Sequence, residues 1–81
     1  MPAEQFRPLY RQIIDDIRRR IASGEWPPGT KTPSTRELQR MYDVPSPTTV
    51  RQAILILQET GELRGHQGRG VYVAERSQQE Q

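Results

Sequence analysis

Thr48, Thr49, Arg51 and Gln52 stand together where a helix is expected to begin. What they share is hydrogen-bonding reach. Arginine pairs bidentately with guanine and glutamine with adenine, while threonine bonds a base or touches a thymine methyl. The chemistry these residues offer is recognition of base edges, not bond making. The rest of the chain agrees. It holds one histidine, His66, and no cysteine. No carboxylates cluster on a common face, so neither a nucleophile–base pair nor a metal site can be assembled. No enzyme activity, metal or cofactor is expected.

Two helix starts position these side chains. Ser34-Thr35-Arg36-Glu37 is an S-x-x-E capping box and opens a helix over about 35–42, with Leu38 and Met41 or Tyr42 facing inward. Asp43-Val44-Pro45 forms the turn. Ser46 then caps a second helix whose first position is Pro47, a favoured pairing. Its buried stripe is Val50, Ala53, Ile54 and Leu57, and Thr48, Thr49, Arg51 and Gln52 lie off that stripe. Two such closely spaced helices read as a helix-turn-helix whose second member meets base edges with its first turn. Arg36 and Arg40, one turn apart on the preceding helix, are candidates for phosphate contact. Arg36 also lies near free N–H groups that attract phosphate.

Upstream, Leu9, Ile13, Ile17 and Ile21 recur every four residues, with Tyr10 and Ile14 beside them. This is a helical stripe, with Pro8 in its first turn and Gly24 as its C-terminal cap. Asp15–Arg19 and Asp16–Arg20 are favourable i,i+4 pairs, and Arg18-Arg19-Arg20 reads as a solvated face. Trp26-Pro27-Pro28-Gly29 is a rigid connector whose tryptophan covers the end of the core. Gly61 closes the third helix. Leu63 and Val71-Tyr72-Val73 then fit two strands around a glycine-rich tip. At that tip His66, Gln67, Gly68 and Arg69 suit entry into a minor groove or a phosphate contact beside it. A plain hairpin turn would need the same glycines. Three helices followed by a hairpin make an α+β, mainly α, winged helix-turn-helix.

At 81 residues the chain holds one small domain. Only 32% of it is hydrophobic, so the core is thin. The net charge of +2 says little about a polyanionic partner, and placement of the charges must carry that argument. No apolar run approaches the roughly 20 residues of a membrane span. The absence of cysteine is compatible with a reducing interior, and a cytoplasmic, nucleoid-associated location is expected. Residues 1–7 are expected to be flexible, 8–74 to form the domain, and 75–81 to be a disordered tail or truncated linker.

Several segments, taken in order, resemble the N-terminal domain of GntR-family bacterial transcription regulators. They are Pro8-Leu-Tyr-x-Gln-Ile13, Ile21-Ala-Ser-Gly-Glu-Trp-Pro-Pro-Gly29, Pro33-Ser-x-Arg-Glu-Leu38, Thr48-Thr-Val-Arg51 and Gln67-Gly-Arg-Gly70. The opening and the tip are most similar to the HutC branch. The resemblance implies a repressor domain that binds palindromic operators in double-stranded DNA as a homodimer. It places the phosphate-contacting arginine at Arg36, the recognition-helix residues at Thr48, Thr49 and Arg51, and the minor-groove glycine at Gly68. Three departures stand out. Pro47 occupies the place of a base-reading arginine. The segment between Val44 and Thr48 is one residue longer, most simply through Pro45. Thr32 replaces an apolar residue and is expected to loosen the packing. The resemblance also implies a C-terminal domain for effector binding and dimerisation, so a stop at Gln81 reads as an excised domain, with a natural minimal protein as the alternative. A winged-helix module for protein or RNA is the competing reading; a protein-binding module predicts apolar groups on the outer face of the third helix.

Overall fold

A computed structural model describes residues 8–66 and 68–75. The expectations for 1–7, Gln67 and 76–81 lie outside those residues. Helix α1 spans Leu9–Ser23, α2 Thr35–Tyr42 and α3 Pro47–Glu59, followed by strands β1, Leu63–His66, and β2, Gly70–Val73. The strands pair antiparallel, Leu63 opposite Val73 and His66 opposite Gly70. This is the three-helix, hairpin-winged architecture that the order of sequence signals predicts.

Local chemistry sets the helix ends. The Glu37 N–H donates to Ser34 Oγ, and the Ser34 N–H donates back to Glu37 Oε1. Ser46 Oγ accepts from the Thr48 N–H with Pro47 at the first helical position. Gly24 ends α1 in the left-handed region, at φ 88°, where a side chain would be strained. Pro8 stands just before α1 as its capping residue, one place earlier than expected, and its carbonyl accepts from the Arg11 and Gln12 N–H groups.

The turn between α2 and α3 is held by Gln39. The Val44 N–H donates to the Gln39 carbonyl, while Gln39 Nε2 reaches the Val44 and Pro45 carbonyls. Asp43 turns the chain with a left-handed φ of 55°. One side chain, Gln39, and one left-handed residue, Asp43, thus hold the turn, with Val44 buried.

Ile13, Ile14 and Ile17 of α1 pack on Leu38, Val44, Val50, Ala53 and Leu57, and the wing contributes Leu63 and Val73. Trp26 closes one end, 9% exposed. The expected stripes shift at their ends. Leu9 lies exposed because the first turn of α1 outruns the body it packs on. Ile21 and Ile54 are only partly buried, and Tyr42 rather than Met41 turns inward.

Two features correct the sequence reading. The wing has a third contributor, because residues 30–32 run alongside β2. Lys31 forms an antiparallel bridge to Tyr72. The Thr32 N–H donates to the Val71 carbonyl and the Val73 N–H to the Thr30 carbonyl, each at 2.8 Å. Thr32 does not loosen this region. It is 5% exposed and its hydroxyl also donates to the Val71 carbonyl, so its polar atom is satisfied where an unpaired one would be costly.

Secondly, the arginine run is paired as well as solvated: Arg19 stays largely exposed, while Arg18 and Arg20 are partly buried. Arg18 donates to the Glu62 carboxylate, 44 residues away, at 3.0 Å. Arg20 pairs with Asp16 and Glu25 and lies over the Trp26 ring. Arg19 pairs with Asp16. The Tyr42 hydroxyl donates to the same Asp16 carboxylate at 2.5 Å, tying α2 to α1. Burial opposes the charge on Asp16. The hydrogen bonds from Tyr42 and Arg20, with the charges of Arg20 and Arg19, outweigh it and hold the carboxyl below its usual range. Burial, together with donation to Asp16, pushes the Tyr42 hydroxyl up to about 12.

Candidate nucleic-acid interface

The first turn of α3 projects from the body as the stripe requires. Val50 and Ala53 are fully buried, so Pro47, Thr48, Arg51 and Gln52 are exposed, and Thr49 is half-buried beside them. Ser46 caps the helix, its hydroxyl oxygen accepting from the Thr48 N–H and its O–H remaining able to donate. Pro47 offers an apolar ring and no donor, so the polar reach of this turn rests on Thr48, Arg51 and Gln52.

Arg36 and Arg40 lie exposed at opposite ends of α2. In the wing, the Arg69 N–H donates to the His66 carbonyl at 2.8 Å, closing a tight turn in which Gly68 has φ 77°. Gly68 has open space around it, so the backbone there can approach a surface closely. His66 packs edge-on against Tyr72, with ring centroids 5.1 Å apart.

An open groove of about 1230 Å³ runs between α2, α3 and the wing. Arg40, Arg51, Gly68 and Arg69 line it, which brings four of the expected residues from three elements onto one concavity. Arg36, Gln52 and the Ser46–Thr49 turn flank the groove without lining it. His66 faces a separate small depression with Arg64 and Tyr72. Sequence reasoning missed Lys31, which also lines the groove. Its signal was weak: two threonines around a lysine suit a strand, but the partner strand lies some forty residues on.

The charges are sorted. Among the described residues, Lys31, Arg36, Arg40, Arg51 and Arg69 form no ion pair, whereas Arg18, Arg19 and Arg20 are all paired and none of them lines the groove. The one acid lining the groove, Glu37, is engaged in its capping box.

Comparison with known proteins places this geometry. Residues 9–73 match the family described as bacterial regulatory proteins, gntR family. The chain is 49% identical over 69 residues to the mannosyl-D-glycerate transport/metabolism system repressor MngR of Escherichia coli (strain K12), covering 85% of this chain and 28% of that protein. It is 37% identical to the HTH-type transcriptional repressor YtrA of Bacillus subtilis (strain 168), covering 84% and 52%. The fold superposes with a TM-score of 0.78 on the DNA-binding domain of AraR in complex with operator ORR3, at 37% identity, covering 83% of this chain and 80% of that one. A GntR family transcriptional regulator from Listeria monocytogenes gives a TM-score of 0.83 at 32% identity, covering 96% and 66%. The chain therefore spans only a part of its full-length relatives. With the match running from the start of α1 to the end of β2, the chain belongs to the gntR family of bacterial regulatory proteins.

Proposed function

We propose that residues 8–74 bind double-stranded DNA sequence-specifically and that the protein represses transcription by occupying a palindromic operator as a homodimer. The observation that carries this reading is the sorting of charge. Cations without ion pairs among the described residues converge from α2, α3 and the wing beside polar groups in the first turn of α3, while Arg18, Arg19 and Arg20 are paired within the fold. The AraR domain, whose structure this one resembles, is in complex with operator DNA, and MngR and YtrA are repressors. Arg51, with Thr48 and Gln52, reads base edges; Thr49 and Ser46 support that turn; Arg36 and Arg40 hold phosphates; Gly68, Arg69 and Gln67 approach the minor groove, with His66 at its margin. The work is occupancy rather than catalysis, and its place is the nucleoid in the cytoplasm.

The test is selection from a random duplex library at low and moderate salt, with Arg51→Ala in parallel. An enriched half-site or inverted repeat that the variant fails to select supports the reading. Salt-sensitive binding without enrichment would leave only backbone contact, and absence of duplex binding would overturn the proposal.

A further inference from the structure

Gly61 is the hinge between α3 and the wing. It stands at φ 87°, in the left-handed region, and a glycine there is free to take other conformations. The next residue, Glu62, is fastened on every side. Its N–H donates to the Leu57 carbonyl of α3 at 2.9 Å, and its carbonyl accepts from the Ala74 N–H, just past β2, at 3.1 Å. Its carboxylate accepts from Arg18 Nε of α1 through both oxygens, at 3.0 Å each, and from the Thr60 hydroxyl at 2.6 Å. β1 begins one residue later, at Leu63. A single side chain and its backbone therefore join α1, the end of α3 and the root of both wing strands, away from the residues that line the groove.

The apolar anchors of the wing, Leu63 and Val73, are buried, but hydrophobic contact is non-directional and fixes depth better than angle. Angle needs directional bonds. Residues 30–32 supply them along β2, and Glu62 supplies them at the start of β1. The wing is also a lever. Its tip lies roughly 17 Å from Glu62 at about 3.3 Å per strand residue, so a rotation of about 10° at the root moves the tip about 3 Å. A shift of that size breaks a hydrogen bond.

We propose that Glu62, held by Arg18, is a positioning residue for DNA binding. It locks the Gly61 hinge so that the wing tip and the first turn of α3 meet one duplex in a fixed relation. The inference rests on the reading of the domain as a duplex-DNA binder, and it names a residue that acts on binding without touching DNA.

The test combines double-mutant cycles on the selected duplex with residual dipolar couplings of the DNA-free chain. The variants are Glu62→Ala, the milder Glu62→Gln, and the exchanged pair Arg18→Glu with Glu62→Arg, and circular dichroism checks that each folds. Without DNA, couplings from β1 and β2 should fit the frame of α1 and α3 in the parent and depart from it in Glu62→Ala. Arg69→Ala, at the tip, should cost the parent at least about threefold in affinity but the Glu62→Ala background less than about 1.5-fold. Arg51→Ala should cost both backgrounds the same factor, which a general loss of DNA-binding geometry would not allow. Glu62→Gln, which keeps one acceptor for Arg18, should fall between parent and Glu62→Ala. The exchanged pair should restore both the fit of the couplings and the cost of Arg69→Ala. Additive costs of the Glu62 and Arg69 variants, or couplings that keep the parental frame in both Glu62 variants, overturn the role of Glu62 alone. A parent that binds no duplex is a different result: it overturns the functional reading, and this role with it.

Discussion

Arg51 and Arg36 separate two kinds of contact that a count of basic residues would merge. Arg51 projects from a turn whose neighbours, Thr48 and Gln52, also reach outward, so it can meet a base edge. Arg51→Ala should cost about 1–3 kcal/mol on the selected site and relax the base preference. Fluorescence anisotropy on the selected and permuted duplexes checks this; equal loss on all of them would make Arg51 a phosphate contact. Arg36 sits in the first turn of α2 with no ion pair among the described residues. Arg36→Ala should weaken selected and unrelated duplexes alike and lower the salt slope by about one. A change in base preference would contradict that role. Pro47 shows how far residue type alone reaches. Its ring has no donor for a base, and the structure gives it a helix-starting position instead.

At the level of elements, α1 and α2 are joined by a polar clasp of Tyr42, Asp16 and Arg20. Because Asp16 titrates below its usual range in the fold, its contribution is present above the ordinary carboxylate pKa and fades as pH falls through the lowered one. Tyr42, pushed up to about 12, contributes fully below its ordinary pKa of 10.0 and loses that contribution as pH rises toward the higher value. Tyr42→Phe should therefore lower Tm at neutral pH, and the difference from the parent should shrink at both acid and alkaline extremes. A Tm difference independent of pH would make the loss one of packing alone. The helices and the hairpin were legible in the sequence because their signals are local: the Ser34–Glu37 box, Pro47 after Ser46, Gly24, and the change of period near Gly61. The clasp was legible only in its Asp16–Arg20 half, which lies within one helix. Tyr42, the Arg18–Glu62 pair and the bridge from Lys31 to Tyr72 join residues 26, 44 and about 40 positions apart. No periodicity reports such pairs. The same limit hid Lys31 from the candidate site, while the residues on α3 and the wing followed directly from helix phase and turn chemistry.

For the molecule as a whole, the cations of the groove carry no ion pairs among the described residues, whereas Arg18, Arg19 and Arg20 are paired. We expect this chain to be a monomer at micromolar concentration and to bind a half-site weakly. Two copies on an inverted repeat should gain little from each other, whereas joining them by a flexible linker of sufficient span should raise apparent affinity about 100-fold or more through effective concentration. Sedimentation velocity and titration of half-site and full-site duplexes check this; strong cooperativity between unlinked copies would reveal an interface within these 81 residues. The sorting of charge also bears on how the protein finds DNA. Four cations and one acid line the groove, so against a chain total of +2 the remainder of the protein is net negative. The protein therefore behaves as an electric dipole more than as a weakly basic sphere. In the field of a polyanion it experiences a torque that turns the groove forward before contact. Its encounter rate should thus respond to ionic strength far more steeply than its small net charge suggests, and a misoriented approach corrects itself by rotation rather than by dissociation.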